Sequence, residues 1–180
     1  DVDGVHLDDY FYPYPEGRQS FPDDQSYKRY RDGGGKLERS AWRRSNVDTL
    51  VAGLSNQIRK ERADVRFGIS PFGIYRPGQP PGISGLDQYA EIYSDPPVWK
   101  AAGWVDYLAP QLYWPSTQAA QAYEPLIDWW SVLPESGRYT FPGNALYQLG
   151  TTSLWTVDEY RTQLSLTRGR AADGSIGNIW

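Results

Sequence analysis

Two adjacent carboxylates, Asp8 and Asp9, follow a short apolar stretch at the start of the sequence, and a group of aromatic rings follows them directly. A buried strand has no use for two carboxylates, and a solvated loop has little use for so many rings. Both features are explained if a strand ends at the floor of a cleft that binds a polar, ring-shaped ligand. The rings belong to Tyr10, Phe11, Tyr12 and Tyr14.

Residue parity assigns each side chain of this first strand to one of two faces, because side chains alternate along a strand. Val5 and Leu7 share the face that is suited to packing against helices. His6 and Asp8 share the opposite face, so Asp8 ends that row at the mouth of the cleft. Asp9 has the other parity and is expected at the rim, unless the strand kinks.

The same alternation brings further polar groups and rings to the cleft. Ser70 comes from the second strand, Gln111 and Tyr113 come from the third, and Trp114 follows at the lip. An inward amide is costly unless it has a partner, which favours a functional role for Gln111. Asp106 has outward parity and is interpreted as a structural cap or ion-pair residue. A carboxylate, an amide, a hydroxyl and several rings are typical of a sugar-binding site.

The elements that position these groups alternate between strand and helix. The pattern predicts strands over residues 2–8, 65–70, 105–113, 139–146 and 175–180. It predicts helices over residues 45–62 and 117–132, a short helical region near 86–102, and a helix opened by Thr156 and Glu159 at capping-box spacing. The glycine-rich, charged stretch over residues 31–36 is predicted to be a loop.

Alternating strands and helices predict an α/β fold with a parallel sheet. No G-x-G-x-x-G turn is present, which disfavours a dinucleotide-binding sheet. A (β/α)8 TIM barrel typically needs about 250 residues, so five units in 180 residues are expected to be the C-terminal part of one barrel domain. An open doubly wound sheet is the alternative. The chain begins and ends inside apparent strands, as a segment of a longer protein would.

Composition narrows the function classes. The net charge of -4 argues against a nucleic-acid or anionic-membrane partner, and no apolar run approaches the roughly 20 residues of a membrane span. The absence of cysteine excludes disulfides and thiolate sites. A single histidine makes a histidine-based metal site improbable. We therefore expect neither a metal nor a cofactor.

Four blocks, in this order, resemble the bacterial glycosyl-hydrolase-like barrels of family ten: VDGVHLDDYFYPYP, AWRRSNVDTLV, FGISPFGIYRPG and DYLAPQLYW. The resemblance is strong up to about Trp114 and looser beyond it. It implies a TIM barrel and a bacterial, extracytoplasmic enzyme, since that family includes glycosidases that cut peptide-free peptidoglycan glycan strands. The implied partner is a polysaccharide.

His6-Leu7-Asp8 also resembles, more distantly, the strand-four end of alpha-amylase-like barrels, where the aspartate is the nucleophile. That match implies Asp8 as the catalytic nucleophile. Glycoside hydrolysis uses two carboxyl groups, about 5–5.5 Å apart for retention and roughly 6.5–9.5 Å apart for inversion. The amylase-like acid, a glutamate on the following strand, has no counterpart in FGISPFG. Four sources of the acid stay open: Asp9, Glu16, strands preceding this chain, or the substrate's own acetamido group.

The remaining candidates would bind substrate. His6 is placed to tune the charge of Asp8 or to bond a sugar hydroxyl. The family's WRR-x-N block places a tryptophan, an arginine and an asparagine at a helix start, where surface ion-pairing is the alternative for the arginine. These residues are Trp42, Arg43 and Asn46. The candidate stacking rings, with loop packing as their alternative, are Tyr10, Tyr12, Tyr75 and Trp114.

Three functions compete on this evidence. The first is a glycosidase that acts on a cell-wall or related N-acetylated polysaccharide. The second is a non-catalytic carbohydrate-binding barrel, which the missing glutamate favours. The third is a metal-dependent hydrolase that uses His6, Asp8 and Asp9, although these three residues make a thin ligand set.

Overall fold

Four short parallel strands in the order β1-β2-β3-β4 form one sheet in the computed structural model, which describes residues 2–17, 19–133 and 138–180. The predicted α/β fold with a parallel sheet is confirmed. Whether the sheet belongs to a barrel stays a prediction. The strands are β1 (Gly4–Leu7), β2 (Arg66–Ile69), β3 (Tyr107–Leu108) and β4 (Tyr139–Thr140).

Helices follow the strands as the alternating pattern predicts. In chain order they are α1 (Asp24–Asp32), α2 (Arg39–Glu61), α3 (Gln88–Glu91), α4 (Pro96–Ala101), α5 (Tyr123–Ser131) and α6 (Val157–Arg168). Single 3-10 turns lie at Ala119–Gln121, Leu146–Gln148 and Ala171–Asp173. Helix α1 was not predicted: it is short and strongly polar, and it buries none of its residues.

Helix α2 begins six residues before its predicted start at residue 45. Glu38 precedes it in an extended conformation, and the helix already includes Trp42 and Arg43 among its buried residues. The apolar spacing predicted the rest correctly, since Val47 and Val51 are buried against the sheet. The WRR-x-N block therefore lies on the first turns of the helix.

The third and fourth strands are shorter than predicted. Pro110 and Pro142 lack the N–H that a ladder needs, so the regular pairing stops before each of them. Pairing resumes as single bridges, from Gln111 to Phe72 and to Gly143. The predicted fifth strand over 175–180 is reduced to one parallel bridge between Gly143 and Ile179.

The helical region predicted near 86–102 is divided into α3 and α4. Tyr93 has a left-handed backbone conformation, with φ of 57°, which ends α3. Pro96 then occupies the first turn of α4, where a missing N–H costs nothing.

Helix α6 starts as the capping pattern predicts. The Thr156 hydroxyl oxygen accepts from the Glu159 N–H at 3.2 Å. The Glu159 carboxylate instead accepts from the backbone N–H and the hydroxyl of Ser116, each at 2.7 Å. Glu159 thereby ties α6 to the loop after β3.

The two faces of the sheet differ in what covers them. Phe67, Ile69 and Leu108 point to the helical side, and at most 2% of any of these side chains is exposed. The opposite face carries His6, and Tyr139 on this face is 48% exposed. The parity assigned to the first three strands is confirmed, and the cleft residues lie on this second face.

Candidate active site

Asp8 lies immediately after β1 and is exposed at the carboxyl end of the sheet. The side-chain amide of Gln111 donates to Asp8 Oδ1 at 2.8 Å and to the carbonyl of Ser70 at 3.1 Å. The backbone N–H of Asp9 donates to the same Asp8 oxygen at 2.9 Å. Two donors from different segments therefore fix one oxygen of an exposed carboxylate, as a reacting carboxylate requires.

His6 is bound to its neighbours through both ring nitrogens. Nε2 lies 2.7 Å from the Ser70 hydroxyl and Nδ1 lies 2.9 Å from the Tyr107 hydroxyl. Partial burial of the imidazole lowers the pKa of His6, against the opposing effect of the Asp8 charge. A neutral ring bonded on both sides holds Ser70 and Tyr107 in place. Two predicted site residues, His6 and Ser70, are thus hydrogen-bonded to each other in the structure.

Gly68 explains how the Tyr107 ring reaches His6. A Cβ on Gly68 would lie 2.0 Å from the Tyr107 ring, so a larger residue at this position would displace that ring. The Tyr107 and His6 rings are nearly parallel, with centroids 5.6 Å apart. Tyr107 was not among the predicted site residues, although its parity with Gln111 was a signal for it.

Asp9 does not lie at the rim, and that expectation was wrong. The chain turns just after β1, where the Phe11 N–H donates to the Asp9 carbonyl at 2.9 Å, and only 1% of Asp9 is exposed. The Tyr14 hydroxyl donates to Asp9 Oδ2. Burial raises the pKa of Asp9, and the Asp8 charge adds to this effect, whereas the Tyr14 hydrogen bond lowers the pKa. The pair therefore combines an exposed carboxylate, Asp8, with a buried one, Asp9, whose pKa is raised above its ordinary value by burial.

Tyr14 is a further residue of the site, and the sequence did not single it out from its aromatic run. Burial and the neighbouring Asp9 carboxylate raise the pKa of Tyr14 far above its ordinary value, so its hydroxyl remains a donor. Its ring contacts Tyr10 edge-on, at 5.7 Å between centroids.

Exposed rings border the carboxylates. Tyr10 is 69% exposed and Tyr113 is 38% exposed. Burial and then the Asp8 charge raise the pKa of Tyr113, so its hydroxyl stays protonated at neutral pH. Tyr147, which the sequence did not indicate, contacts Tyr113 edge-on at 6.1 Å and is 70% exposed. By contrast, Trp114 is partly buried against Phe72, so it forms a wall and not a free lip.

A second depression, here called the aromatic groove, lies between the loop after β1 and the segment after α3. It has a volume of about 340 Å³ and is lined by residues that include Tyr12, Tyr14, Phe21, Arg43 and Tyr93. Arg43 is 4% exposed, and its Nε and Nη2 each donate to the Asp23 carboxylate at 2.7 Å. This ion pair lowers the pKa of Asp23. Arg43 thus forms part of the groove's frame.

The other predicted binding residues have mixed positions. Asn46 is exposed on α2, and burial raises the pKa of Tyr12 while the Asn46 side chain lowers it. Trp42 is 9% exposed and packs against the rings of two tyrosines of α1, which keeps it away from the cleft. Tyr75 donates to Asp95 at 3.1 Å and stacks on Trp129 at 5.4 Å, so its contacts lie among the helices and not at Asp8.

The described residues contain no group of three or more histidine, cysteine, aspartate or glutamate side chains that could hold a metal ion. No helix in the described ranges combines the length and apolar character that crossing a membrane needs.

Comparison with known proteins identifies the family. A family model described as glycosyl hydrolase-like 10 matches residues 1–154. The curated relatives include glycosyl hydrolase YngK of Bacillus subtilis (strain 168), which is 38% identical over 178 residues, or 93% of this chain and 34% of the relative. Glycosyl hydrolase DigH of Escherichia coli (strain K12) is 37% identical over 178 residues, or 92% of this chain and 40% of the relative. The chain thus spans well under half the length of these relatives, and it belongs to the glycosyl hydrolase-like 10 family.

Proposed function

We propose that this protein is a glycosidase that hydrolyses O-glycosidic bonds in an N-acetylated polysaccharide. The proposed substrate is the peptide-free glycan strands of bacterial peptidoglycan. The proposed location of the reaction is outside the cytoplasm. The observation that carries the proposal is the exposed Asp8 carboxylate, fixed by Gln111 at the carboxyl end of a parallel sheet and bordered by Tyr113. Membership of a glycosyl hydrolase-like family supports it.

Asp8 is the reacting carboxylate in this proposal. In a retaining reaction its oxygen bonds to the anomeric carbon while the bond to the leaving sugar oxygen breaks, and a second group gives that oxygen a proton. Water then displaces Asp8 from the sugar. In an inverting reaction Asp8 instead takes a proton from the attacking water.

Asp9 is assigned a positioning role because its carboxyl group is almost completely buried. Tyr14 and the backbone turn hold Asp9, and the Asp9 N–H holds Asp8. The sequence offered two candidates within this chain for the general acid, Asp9 and Glu16. Glu16 is the exposed one, and it lines the aromatic groove beside Tyr14.

The TIM barrel is part of the same proposal. The strands run parallel in sequence order, and the candidate residues gather at their carboxyl ends, as in barrel enzymes. Within the described ranges, helices leave open the face that carries Asp8, which suits the interior of a barrel that further strands would complete.

The decisive experiment is Asp8→Asn, assayed by the release of reducing ends from purified peptide-free glycan strands. We expect a loss of roughly a thousand-fold or more, as when a reacting group is removed, with an unchanged unfolding temperature. Asp3→Asn, at an exposed position before β1, is the control and should keep full activity. Full activity in Asp8→Asn would refute the assignment.

A non-catalytic carbohydrate-binding barrel is the second candidate. It is favoured by one observation: the segment FGISPFG, which covers the end of β2 and the residues after it, carries no carboxylate to serve as the acid. Binding of glycan strands by the intact protein without any release of reducing ends would establish this alternative in place of the first.

A further inference from the structure

We propose that the aromatic groove is a subsite for a sugar unit of the same glycan chain, remote from the bond that Asp8 attacks. This inference rests on the proposed function, because the occupant is part of the proposed substrate. The inference adds a specific site, with named residues, that would recognise the length of the glycan chain.

The lining of the groove suits a sugar. The rings of Tyr12, Phe21 and Tyr93 offer apolar faces to the C–H groups of a pyranose, while Gln19 and Ser20 offer polar groups to its hydroxyls. The volume of about 340 Å³ falls in the range of about 300–1,000 Å³ that is usual for small-ligand sites. A mixture of aromatic faces and a few polar groups is the ordinary composition of such sites.

The walls of the groove are held rigidly by Arg43. Besides its ion pair with Asp23, Arg43 donates from Nη1 to the Tyr93 hydroxyl at 2.6 Å and from Nη2 to the Phe21 carbonyl at 3.2 Å. The guanidinium also lies over the Tyr93 ring, 5.0 Å from its centroid. One buried cation therefore joins α2, the loop after β1 and the segment after α3. A preorganised site binds without a large ordering cost.

Tyr93 is held in a conformation that its side chain disfavours. Its φ of 57° lies in the left-handed region, which residues with a Cβ rarely occupy. The Arg43 hydrogen bond and an edge-on contact with Tyr12, at 4.9 Å between centroids, keep the ring in the groove wall. Strain of this kind is found preferentially at ligand sites.

Tyr14 is shared by the groove and the candidate active site. The Tyr14 ring lines the groove, and its hydroxyl bonds the Asp9 carboxylate, which is adjacent to Asp8. The exposed ring of Tyr10 contacts Tyr14 on the way. A glycan chain bound at Asp8 therefore has a ring-lined path into the groove, which is why a distal unit of that chain is the occupant.

The test uses the full protein with Asp8→Asn as background, so that binding is measured without turnover. Dissociation constants are determined by calorimetry for a disaccharide and a hexasaccharide of N-acetylglucosamine. The groove variant combines Gln19→Ala and Phe21→Ala, two exposed positions whose truncation spares the Arg43 frame. The matched control combines Gln25→Ala and Leu37→Ala, which are also exposed and lie away from the groove lining.

We expect the groove variant to bind the hexasaccharide about tenfold more weakly, as loss of one aromatic contact and one hydrogen bond implies. Its disaccharide affinity and the control's affinities should not change. Equal weakening for both lengths, no weakening at all, or no binding of either sugar by the background protein would overturn the subsite. Length-selective weakening in a protein that never releases reducing ends would sustain the subsite and refute only the catalytic proposal.

Discussion

Gln111 is the residue that links two strand ends to the candidate carboxylate. Its amide spans from β3 to Asp8 and to the Ser70 carbonyl, so the position of the Asp8 oxygen depends on the spacing of three segments. A hydrogen bond to a charged group of this kind contributes about 1.5–3 kcal/mol. Asp8 is therefore oriented by the sheet itself and not by a flexible loop.

Asp9 gives the prediction that belongs to the residue scale. Its pKa is raised by burial above the ordinary 3.8, so the folded protein binds more protons than the unfolded chain between these two values. Stability contributed by this site therefore falls as pH rises through that window. Asp9→Asn removes the buried charge and keeps an oxygen that accepts from Tyr14. We expect its free energy of unfolding at pH 7 to exceed that of the wild type.

The measurement is urea unfolding of both proteins from pH 3 to pH 8. The difference should disappear below the ordinary pKa of 3.8, where Asp9 is protonated in both states. Asp3→Asn, an exposed counterpart, should show no such trend. An Asp9→Asn protein that is less stable at pH 7 would mean that the buried carboxylate is stabilised by its partners more than it is penalised by burial.

At the residue scale, side-chain parity predicted which groups share the cleft face. It did not predict that Asp9 is buried. Alternation is local, so His6, Ser70 and Gln111 could be placed from sequence alone. The burial of Asp9 depends on the Tyr14 side chain folding back over it. The position of Trp42 depends on contacts with α1, a polar helix that buries none of its own residues. Those contacts are made by separate segments, and sequence spacing does not encode them.

At the element scale, close packing between the segments after β2 and β3 sets where the cleft wall lies. Gly73 is buried against this contact, and a Cβ there would lie 2.2 Å from the Gln111 carbonyl oxygen and 2.8 Å from the Trp114 ring. Its carbonyl accepts from the Trp130 indole at 2.8 Å, which holds it from the helical side. The segment therefore has no room to move aside.

Gly73→Ala is expected to cost about 1–3 kcal/mol of unfolding free energy, the usual penalty for overpacking. It should also lower glycan hydrolysis, because the backbone that must shift belongs to Gln111. Chemical unfolding and the reducing-end assay measure the two effects. Gly53→Ala is the matched control: it lies in the interior of α2 with open space around its Cβ position, and should gain about 0.5–1 kcal/mol. A Gly73→Ala protein that gains stability as Gly53→Ala does would contradict the close approach.

Element positions were predicted better than element lengths. The position of α2 and the positions of the strands along the chain follow from sequence. The helical spacing of apolar residues and the alternation of strand residues each repeat over several residues. The early end of the β3 and β4 ladders is explained by Pro110 and Pro142. The strand predictions ran through both prolines because they followed the alternating apolar pattern. The break between α3 and α4 depends on Tyr93, whose left-handed backbone is held by Arg43 across the fold and has no local signal.

At the scale of the whole molecule, one face of the sheet lacks, among the described residues, the helical cover that the other face has. A cavity of about 500 Å³ opens on the open side, lined by residues that include Tyr107, Tyr139 and Phe141. The matched segment corresponds to 34% and 40% of the two relatives, so a closed barrel in those relatives would take its remaining strands from outside that segment. A barrel would bury these rings in its interior layers.

Tyr139→Ala tests this closure when it is made both in the 180-residue chain and in any longer polypeptide that contains it. In the isolated chain the ring is 48% exposed, so the loss of unfolding free energy should be small, within about 1 kcal/mol. In a closed barrel the same truncation leaves a cavity and should cost about 3–5 kcal/mol, as for other large aromatic residues. Tyr147→Ala, at a ring that is 70% exposed on a loop after β4, should cost little in both contexts. Equally small losses of unfolding free energy for Tyr139→Ala in the two proteins would mean that this face stays open to solvent. The cleft around Asp8 would then be a shallow surface and not the mouth of a barrel.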